Sequence, residues 1–245
     1  MSEIYDRIGR SYSTHRSEDP RLFSAVRSAL GGARSVVNVG AGAGAYEPTD
    51  LAVVAVEPAT TMIAQRGSHA ARVVRARAEA LPFRDAAFDA AMAILTVHHW
   101  ADRRKGLAEC ARVAGRVVCL TWNPTSDGFW LTQDYFPETL EENRSSFPTL
   151  VELSAELGVL DIKRLPIPAD CADGFLGAYW RRPHAYLDAA VRASISSLAT
   201  VDSDNHQLGR LRADLESGRW KQRYGYLLEL STLDIGYCVV TAQRA

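Results

Sequence analysis

The chain has 245 residues, of which 47% are hydrophobic and 23% are charged, the composition of an ordinary globular protein that can bury a sizeable core. Its formal net charge is −1, and no block of lysine or arginine forms the basic surface typical of a nucleic-acid binder. The four cysteines are far apart and form no C-x-x-C pair, so we expect neither a metal site nor a disulfide framework.

Hydrophobic runs and turn residues predict that strands alternate with helices from Asp19 onward. A helix is expected to begin at Asp19-Pro20, because Asp suits the cap and Pro the first turn, and to end at Gly31-Gly32. Short apolar strands follow at 35–39, 51–56, 72–76, 89–95 and 115–122, and helices are predicted at 60–66 and 101–114. This alternation predicts a parallel sheet.

The second half of the chain is less regular. Residues 123–148 are predicted to be irregular, residues 149–157 to form a helix, and residues 161–167 and 235–241 to form strands. The mostly helical segment 172–230 is too long for an ordinary connection between strands. The whole pattern predicts an α/β protein with a Rossmann-like, doubly wound, mostly parallel seven-stranded sheet. Residues 1–171 and 231–245 would form its core, and residues 172–230 an inserted helical cap over a ligand site.

Neither a secretory signal nor a membrane span is predicted. The amino-terminal residues lack the apolar segment of a signal peptide, and no apolar run is long enough to cross a bilayer. We therefore expect a cytoplasmic protein, monomeric or homodimeric, with no membrane association.

A glycine-rich turn, Gly40-Ala41-Gly42-Ala43-Gly44, directly follows the first predicted strand. Glycines at this point let the backbone turn sharply and approach a ligand closely. Glu57 ends the second predicted strand, where a carboxylate can accept hydrogen bonds from both hydroxyls of a ribose. Together the turn and the carboxylate predict a ligand that contains adenosine. They leave S-adenosylmethionine and NAD open, because the turn also fits the dinucleotide pattern G-x-G-x-x-A.

Two further features favour S-adenosylmethionine. About 30 residues with helical signals precede the first strand, and residues 78–89 read A-E-A-L-P-F-R-D-A-A-F-D between the third and fourth strands. With this segment and the glycine turn, residues 5–125 resemble the class I S-adenosylmethionine-dependent methyltransferases, in particular the small-molecule branch that includes the ubiquinone- and menaquinone-biosynthesis type. The resemblance implies an enzyme that uses S-adenosyl-L-methionine to methylate an O, N or C atom of a small organic molecule.

Carried over residue by residue, the resemblance implies a cofactor site around the glycine turn. The turn would meet the aminopropyl-carboxylate end of the cofactor, and Glu57 would meet its ribose. Tyr12 and Arg16 would form an amino-terminal element that closes over the cofactor and pairs with its carboxylate. The adenine would lie against Pro58, Met62, Ala78 and Glu79. The implied members are Tyr12, Arg16, Asn38, Gly40, Ala41, Gly42, Glu57, Pro58, Met62, Ala78, Glu79 and Thr96.

Two positions depart from the family pattern. Asn38 stands where an acidic residue is usual, so the contact of that position to the amino-acid end of the cofactor is open. Arg77 stands where Asp is usual, so Glu79 or the backbone would hold the adenine amino group.

His98 and His99 follow the fourth predicted strand at its carboxyl end, where ligands bind in open α/β sheets. A histidine there is a candidate general base if the acceptor keeps its proton at neutral pH. The alternative is a structural role, because the branch often carries a His-His pair at this point. The aromatic residues of 129–136 and 175–180 are compatible either with a wall of the acceptor pocket or with core packing. Asp170 and Asp173 are weaker candidates for positioning an acceptor proton.

Two other classes of function stay open at this point. An NAD(P)-dependent oxidoreductase would use the same adenosine-site residues, although none of the three lysines has a tyrosine four residues upstream. A non-catalytic module that binds an adenosine-containing ligand is the other, and cofactor turnover would distinguish it from an enzyme.

Overall fold

The computed structural model describes residues 16–243. Its first half contains helix α1 (Pro20–Ala29), strands β1 (Ser35–Val39) and β2 (Ala52–Val56), helix α2 (Thr60–Ile63), strands β3 (Arg72–Val74) and β4 (Phe88–Ile94), helix α3 (Arg103–Val113) and strand β5 (Ala114–Trp122). Its second half contains helices α4 (Pro137–Ser146) and α5 (Leu150–Leu157), strands β6 (Leu160–Arg164) and β7 (Ile167–Pro168), helices α6 (Ala189–Ala193), α7 (His206–Glu216) and α8 (Arg219–Tyr224), and strands β8 (Thr232–Leu233) and β9 (Tyr237–Gln243).

Seven strands form one sheet in the order β3-β2-β1-β4-β5-β9-β6. Strands β1 to β5 are mutually parallel, and β9 runs antiparallel to both β5 and β6. The strand order reverses between β1 and β4, and ligands bind at such a switch point, outside the carboxyl ends of the strands. The structure confirms the predicted fold class.

Helices cover both faces of the sheet, which explains why its central strands are apolar throughout. On one face, Val37 and Val39 of β1 belong to a cluster with Leu107 of α3 and Leu153 of α5. On the other face, a larger cluster contains α1, the aromatic residues after β5 and much of the segment between β7 and β8.

The two ends of the long insertion meet in a short second sheet. Strand β7 pairs with β8, with Ile167 opposite Leu233 and Pro168 opposite Thr232. Between them, Trp180, Leu208 and Trp220 are buried in the same apolar cluster as α1. The insertion therefore packs on one face of the sheet, and its description as a separate cap stays a prediction.

Two predictions of secondary structure were wrong. The stretch 123–148 contains helix α4, and only Thr139 and Leu140 of that helix are buried, so the sequence shows no apolar periodicity there. The strand predicted at 161–167 is divided into β6 and β7 near Pro166, which cannot donate a backbone hydrogen bond.

None of the helices within residues 16–243 is long and apolar enough to cross a membrane.

Candidate active site

The glycine turn after β1 touches the end of β4. Gly40 has a φ of +72°, and its N–H donates to the carbonyl oxygen of Val56 at 2.8 Å. A Cβ at Gly40 would lie 2.1 Å from Oγ1 of Thr96, so only glycine fits both the backbone angle and the space. The close approach brings the carboxyl ends of β1, β2 and β4 around one cleft.

Glu57 is fixed at the edge of that cleft by two backbone donors. Its side chain is buried, and its carboxylate oxygens accept hydrogen bonds from the N–H groups of Gly42 and Ala59, both at 2.8 Å. Burial raises the pKa of Glu57, and the two backbone donors and the charge of Arg66 partly offset this. Each carboxylate oxygen has a second lone pair, so the group can also accept hydrogen bonds from a ligand.

The cleft at the switch point encloses about 1290 Å³ of space between protein atoms, part of it open to solvent. We call it the cofactor pocket. All the predicted cofactor residues within residues 16–243 line it, and Tyr12 lies outside the described residues. The lining residues in chain order are Arg16, Asn38, Gly40, Ala41, Gly42, Ala43, Ala45, Tyr46, Glu57, Pro58, Ala59, Met62, Arg77, Ala78, Glu79, Ile94, Leu95, Thr96, His99, Trp100 and Ala101.

A buried ion pair that sequence reasoning missed supports the glycine turn. Arg66 and Glu47 lie 2.7 Å apart, with side chains 5% and 6% exposed. Arg66 donates to the carbonyl oxygen of Gly42 at 3.0 Å, and Glu47 accepts a hydrogen bond from the amide of Asn38 at 3.1 Å. An acidic side chain at position 38 would face the Glu47 carboxylate, so this contact explains why an amide stands there.

A second network, partly buried, joins the insertion to the amino-terminal part of the chain. Nε of Arg16 lies 2.6 Å from Oδ1 of Asp173, and the hydroxyl of Tyr46 donates to Oδ2 of Asp173 at 2.9 Å. Asp173 is only 1% exposed and lines neither the cofactor pocket nor the pocket that adjoins it. Asp170, in contrast, forms an exposed ion pair with Arg21.

A second pocket, of about 670 Å³, lies beside the cofactor pocket. We call it the acceptor pocket, after the role that is proposed for it below. Arg16, Leu95 and His99 line both pockets, so the two adjoin at these three residues. Leu95 has a φ of +50°, and such strain in a residue other than glycine is typical of functional sites. The remaining lining residues are His98, Trp122, Gly128, Phe129, Thr132, Leu140, Asn143, Phe147, Phe175, Leu176, Ile195, Ser196, Ser197, Ile235 and Tyr237.

The structure distinguishes the two candidate catalytic histidines by position. His98 lines only the acceptor pocket and stacks on Phe147, with ring centroids 3.9 Å apart, whereas His99 lies where the two pockets meet. Burial lowers the pKa of His98 well below its usual range. Burial, with a further contribution from the charge of Arg16, lowers the pKa of His99 to about 4. Both imidazoles are therefore neutral at physiological pH.

The aromatic residues considered for the pocket wall divide into two groups. Phe129 and Phe175 line the acceptor pocket. The others are buried in the core, where Nε1 of Trp130 donates to the carbonyl oxygen of Trp180 at 2.7 Å. This core group consists of Trp130, Tyr135, Phe136, Tyr179 and Trp180.

Within residues 16–243, no group of three or more His, Cys, Asp or Glu side chains is arranged to hold a metal ion. The four cysteines are buried, and none forms a disulfide.

Comparison with known proteins identifies methyltransferases. The model of a family described as a methyltransferase domain matches residues 37–118. A solved structure from Anabaena variabilis ATCC 29413, described as a methyltransferase from an antibiotic biosynthesis pathway, is 32% identical and superposes with a TM-score of 0.85 over 94% of this chain and 99% of that one. No curated protein sequence matches significantly.

More distant structures share the fold alone. A structure from Thermotoga maritima, described as an S-adenosylmethionine-dependent methyltransferase, is 16% identical with a TM-score of 0.61, and the match covers 100% of each chain. The cyclase SpnF is also 16% identical, with a TM-score of 0.55 over 100% of this chain and 94% of that one.

Proposed function

Because the chain belongs to the class I S-adenosylmethionine-dependent methyltransferases, we propose that it methylates an O, N or C atom of a small organic molecule that binds in the acceptor pocket. The adjacency of the two pockets carries this proposal, since Arg16, Leu95 and His99 line both of them. The narrower assignment to the ubiquinone- and menaquinone-biosynthesis type stays a prediction, and the nicotinamide-dependent alternative has no support from the matched proteins.

The residues of the cofactor pocket fit S-adenosylmethionine. Glu57 offers a fixed carboxylate for the ribose, and a side chain at Gly42 would crowd Met62, with a Cβ only 3.3 Å from its Cε. Nε1 of Trp100 is buried and has no hydrogen-bond partner within the described residues. A buried donor of this kind calls for a partner, and a polar atom of the cofactor would supply one.

When bound, the cofactor supplies an activated methyl group. The protein's residues then have to hold the acceptor atom in line with that methyl and to exclude water. The neutral imidazole of His99 is available at the boundary of the two pockets to take the proton that a hydroxyl acceptor loses. His98 faces only the acceptor pocket, and we assign it to the pocket wall.

The experiment that tests this function separates cofactor binding from methyl transfer. Isothermal titration calorimetry with S-adenosylmethionine and S-adenosylhomocysteine measures the first, and release of S-adenosylhomocysteine over a panel of small hydroxyl, amine and carbon acceptors measures the second. Ser196→Trp fills the acceptor pocket, so we expect it to abolish transfer and to leave cofactor binding intact. Ser154→Trp, on the exposed side of α5, is the matched control.

Two results would contradict the proposal. One is a protein that binds neither cofactor form. The other is an acceptor that is methylated equally well by the unaltered protein and by Ser196→Trp, because this would place the acceptor elsewhere.

A further inference from the structure

We propose that the methyl acceptor of this protein is an uncharged molecule with both apolar and hydrogen-bonding groups, and that the acceptor pocket selects against ammonium and carboxylate groups. The inference rests on the proposed function and adds to it the chemical class of the acceptor. Three properties of the pocket carry it: its charges, the partners of its polar groups and its apolar walls.

Among residues 16–243, the acceptor pocket offers an ionic ligand no charged side chain that is without a partner. Among the described residues that line it there is no Asp, Glu or Lys. Arg16 is the cation among them, and its charge is matched by Asp173 at 2.6 Å. Both histidines that line the pocket are held neutral by burial. An ammonium group would lose its water here without gaining a carboxylate, and such desolvation is strongly unfavourable.

A carboxylate group would meet the complementary difficulty. Arg16 would have to be shared with Asp173, whose own carboxylate is buried and also accepts a hydrogen bond from Tyr46. Withdrawing Arg16 from that contact would leave a buried carboxylate without its cation, which is costly. The pocket is therefore unsuited to an anionic acceptor as well.

Several polar groups in the wall are already occupied by partners within the protein. Nε1 of Trp122 donates to the carbonyl oxygen of Ile235 at 2.7 Å. Oγ1 of Thr132 donates to the carbonyl oxygen of Phe129 at 3.1 Å. These side chains contribute mainly carbon surface to a ligand.

Apolar side chains complete the wall. Phe129, Phe147, Phe175, Leu140 and Ile195 are each less than a tenth exposed and line the pocket together. Pockets for small ligands are typically apolar, with a few polar groups that fix the orientation. Here the neutral side chains of Asn143 and Ser196, with the two histidines, provide that polarity.

Three ligands of the same shape but different charge test the inference. 2-Naphthalenemethanol, 2-naphthylmethylamine and 2-naphthoate are titrated calorimetrically at neutral pH into protein that is saturated with S-adenosylhomocysteine. We expect the neutral alcohol to bind at least about tenfold more tightly than the amine or the carboxylate, a modest fraction of the cost of burying an unpaired ion. Ser196→Trp should weaken the binding of the alcohol.

A charge placed in the wall should reverse the selectivity. Asn143→Asp adds a carboxylate to the pocket with almost no change of shape, and we expect it to raise the affinity for the amine about tenfold or more. Asn205→Asp adds the same charge outside the pocket lining. Asn205 caps helix α7 by accepting a hydrogen bond from the N–H of Gln207, a role that Asp fills equally well, so this control should leave all three affinities unchanged.

The outcomes separate this inference from the proposed function. If the amine or the carboxylate binds as tightly as the alcohol, or if none of the three binds, the inference is overturned. The initial titration with S-adenosylhomocysteine measures cofactor binding independently of this result. If all three bind equally well to Ser196→Trp, they bind outside the acceptor pocket, and both the inference and the assignment of that pocket fail.

Discussion

At the scale of single residues, the Glu57 carboxylate makes a pair of backbone hydrogen bonds that a glutamine side chain cannot reproduce. Its two oxygens accept hydrogen bonds from Gly42 and Ala59, and glutamine would turn an NH₂ group toward one of these donors. We expect Glu57→Gln to weaken S-adenosylhomocysteine binding about 10- to 100-fold, because a hydrogen bond to a charged group contributes about 1.5–3 kcal/mol. Calorimetry measures this change. Glu156→Gln makes the same chemical change outside the pocket, and an equal loss of affinity in that control would show that the ribose role is wrong.

His99 gives a pH dependence with a defined sign. Its pKa is lowered to about 4, so the imidazole stays unprotonated, and available as a base, down to that pH. We expect kcat/KM with a hydroxyl acceptor to be flat through neutral pH and to fall only as the pH approaches about 4. If His99 had the ordinary pKa of a histidine, kcat/KM would instead fall near a pH of about 6.5. A rate profile over this range checks the prediction.

The two histidines should also differ when they are removed. His99→Asn should lower kcat by up to about 10²-fold, the lower end of the usual contribution of a general base, because a pKa of about 4 makes the imidazole a weak base. Cofactor affinity should change little. His98→Asn, which alters only the pocket wall, should act mainly on the KM of the acceptor. Equal losses of kcat in the two variants would contradict the assignment of the base to His99.

At the scale of elements, the turn after β1 is built around one glycine. Gly40→Ala places a Cβ 2.1 Å from Thr96 and forces alanine to a φ of +72°. We expect a loss of about 2–4 kcal/mol in the free energy of unfolding, from overpacking and backbone strain together. Denaturant unfolding measures this value, and Thr96→Gly in the same chain should restore part of it.

A glycine elsewhere provides the matched control for that substitution. Gly209 lies inside helix α7, has an ordinary φ, and a Cβ there would meet no atom within 4 Å. Gly209→Ala should therefore raise the free energy of unfolding by up to about 1 kcal/mol. A gain at Gly40, or a large loss at Gly209, would show that the local geometry has been misjudged.

Elements also explain what could be predicted from sequence. Three local patterns adjoin the end of a strand: the glycine turn, Glu57 and the segment 78–89. Because parallel strands bring such ends to one edge of a sheet, the cofactor pocket could be predicted from these local patterns. Asp173 could not be assigned its contact, because its partner Arg16 lies 157 residues away and no local pattern joins them. Helix α4 was missed because it buries so few residues.

At the scale of the whole molecule, the insertion is connected to the site through that same contact. Arg16 lines both pockets, while its carboxylate partner lies in the insertion and also binds Tyr46 beside the glycine turn. The cofactor pocket, the acceptor pocket and the insertion are thus joined by one partly buried charge pair, and a change in this pair should affect all three.

Asp173→Asn tests that connection. Removing one member of a buried ion pair costs about 3–5 kcal/mol, and because the amide keeps part of the hydrogen bonding we expect the free energy of unfolding to fall by about 2–4 kcal/mol. The Kd of S-adenosylhomocysteine and the KM of the acceptor should both rise, because Arg16 loses its fixed position at the boundary. Denaturant unfolding, calorimetry and steady-state kinetics measure these effects.

A double-mutant cycle with Arg16→Met distinguishes a specific pair from general damage. If the two charges act together, the double variant should be destabilised by clearly less than the sum of the single variants. Asp170→Asn, which breaks the exposed pair with Arg21, should cost less than about 1 kcal/mol and leave both binding constants unchanged. Additive losses in the cycle would mean that the two side chains do not stabilise the fold as a pair. A change in stability without a change in either binding constant would mean that the Arg16–Asp173 pair stabilises the fold and does not position Arg16 for the reaction.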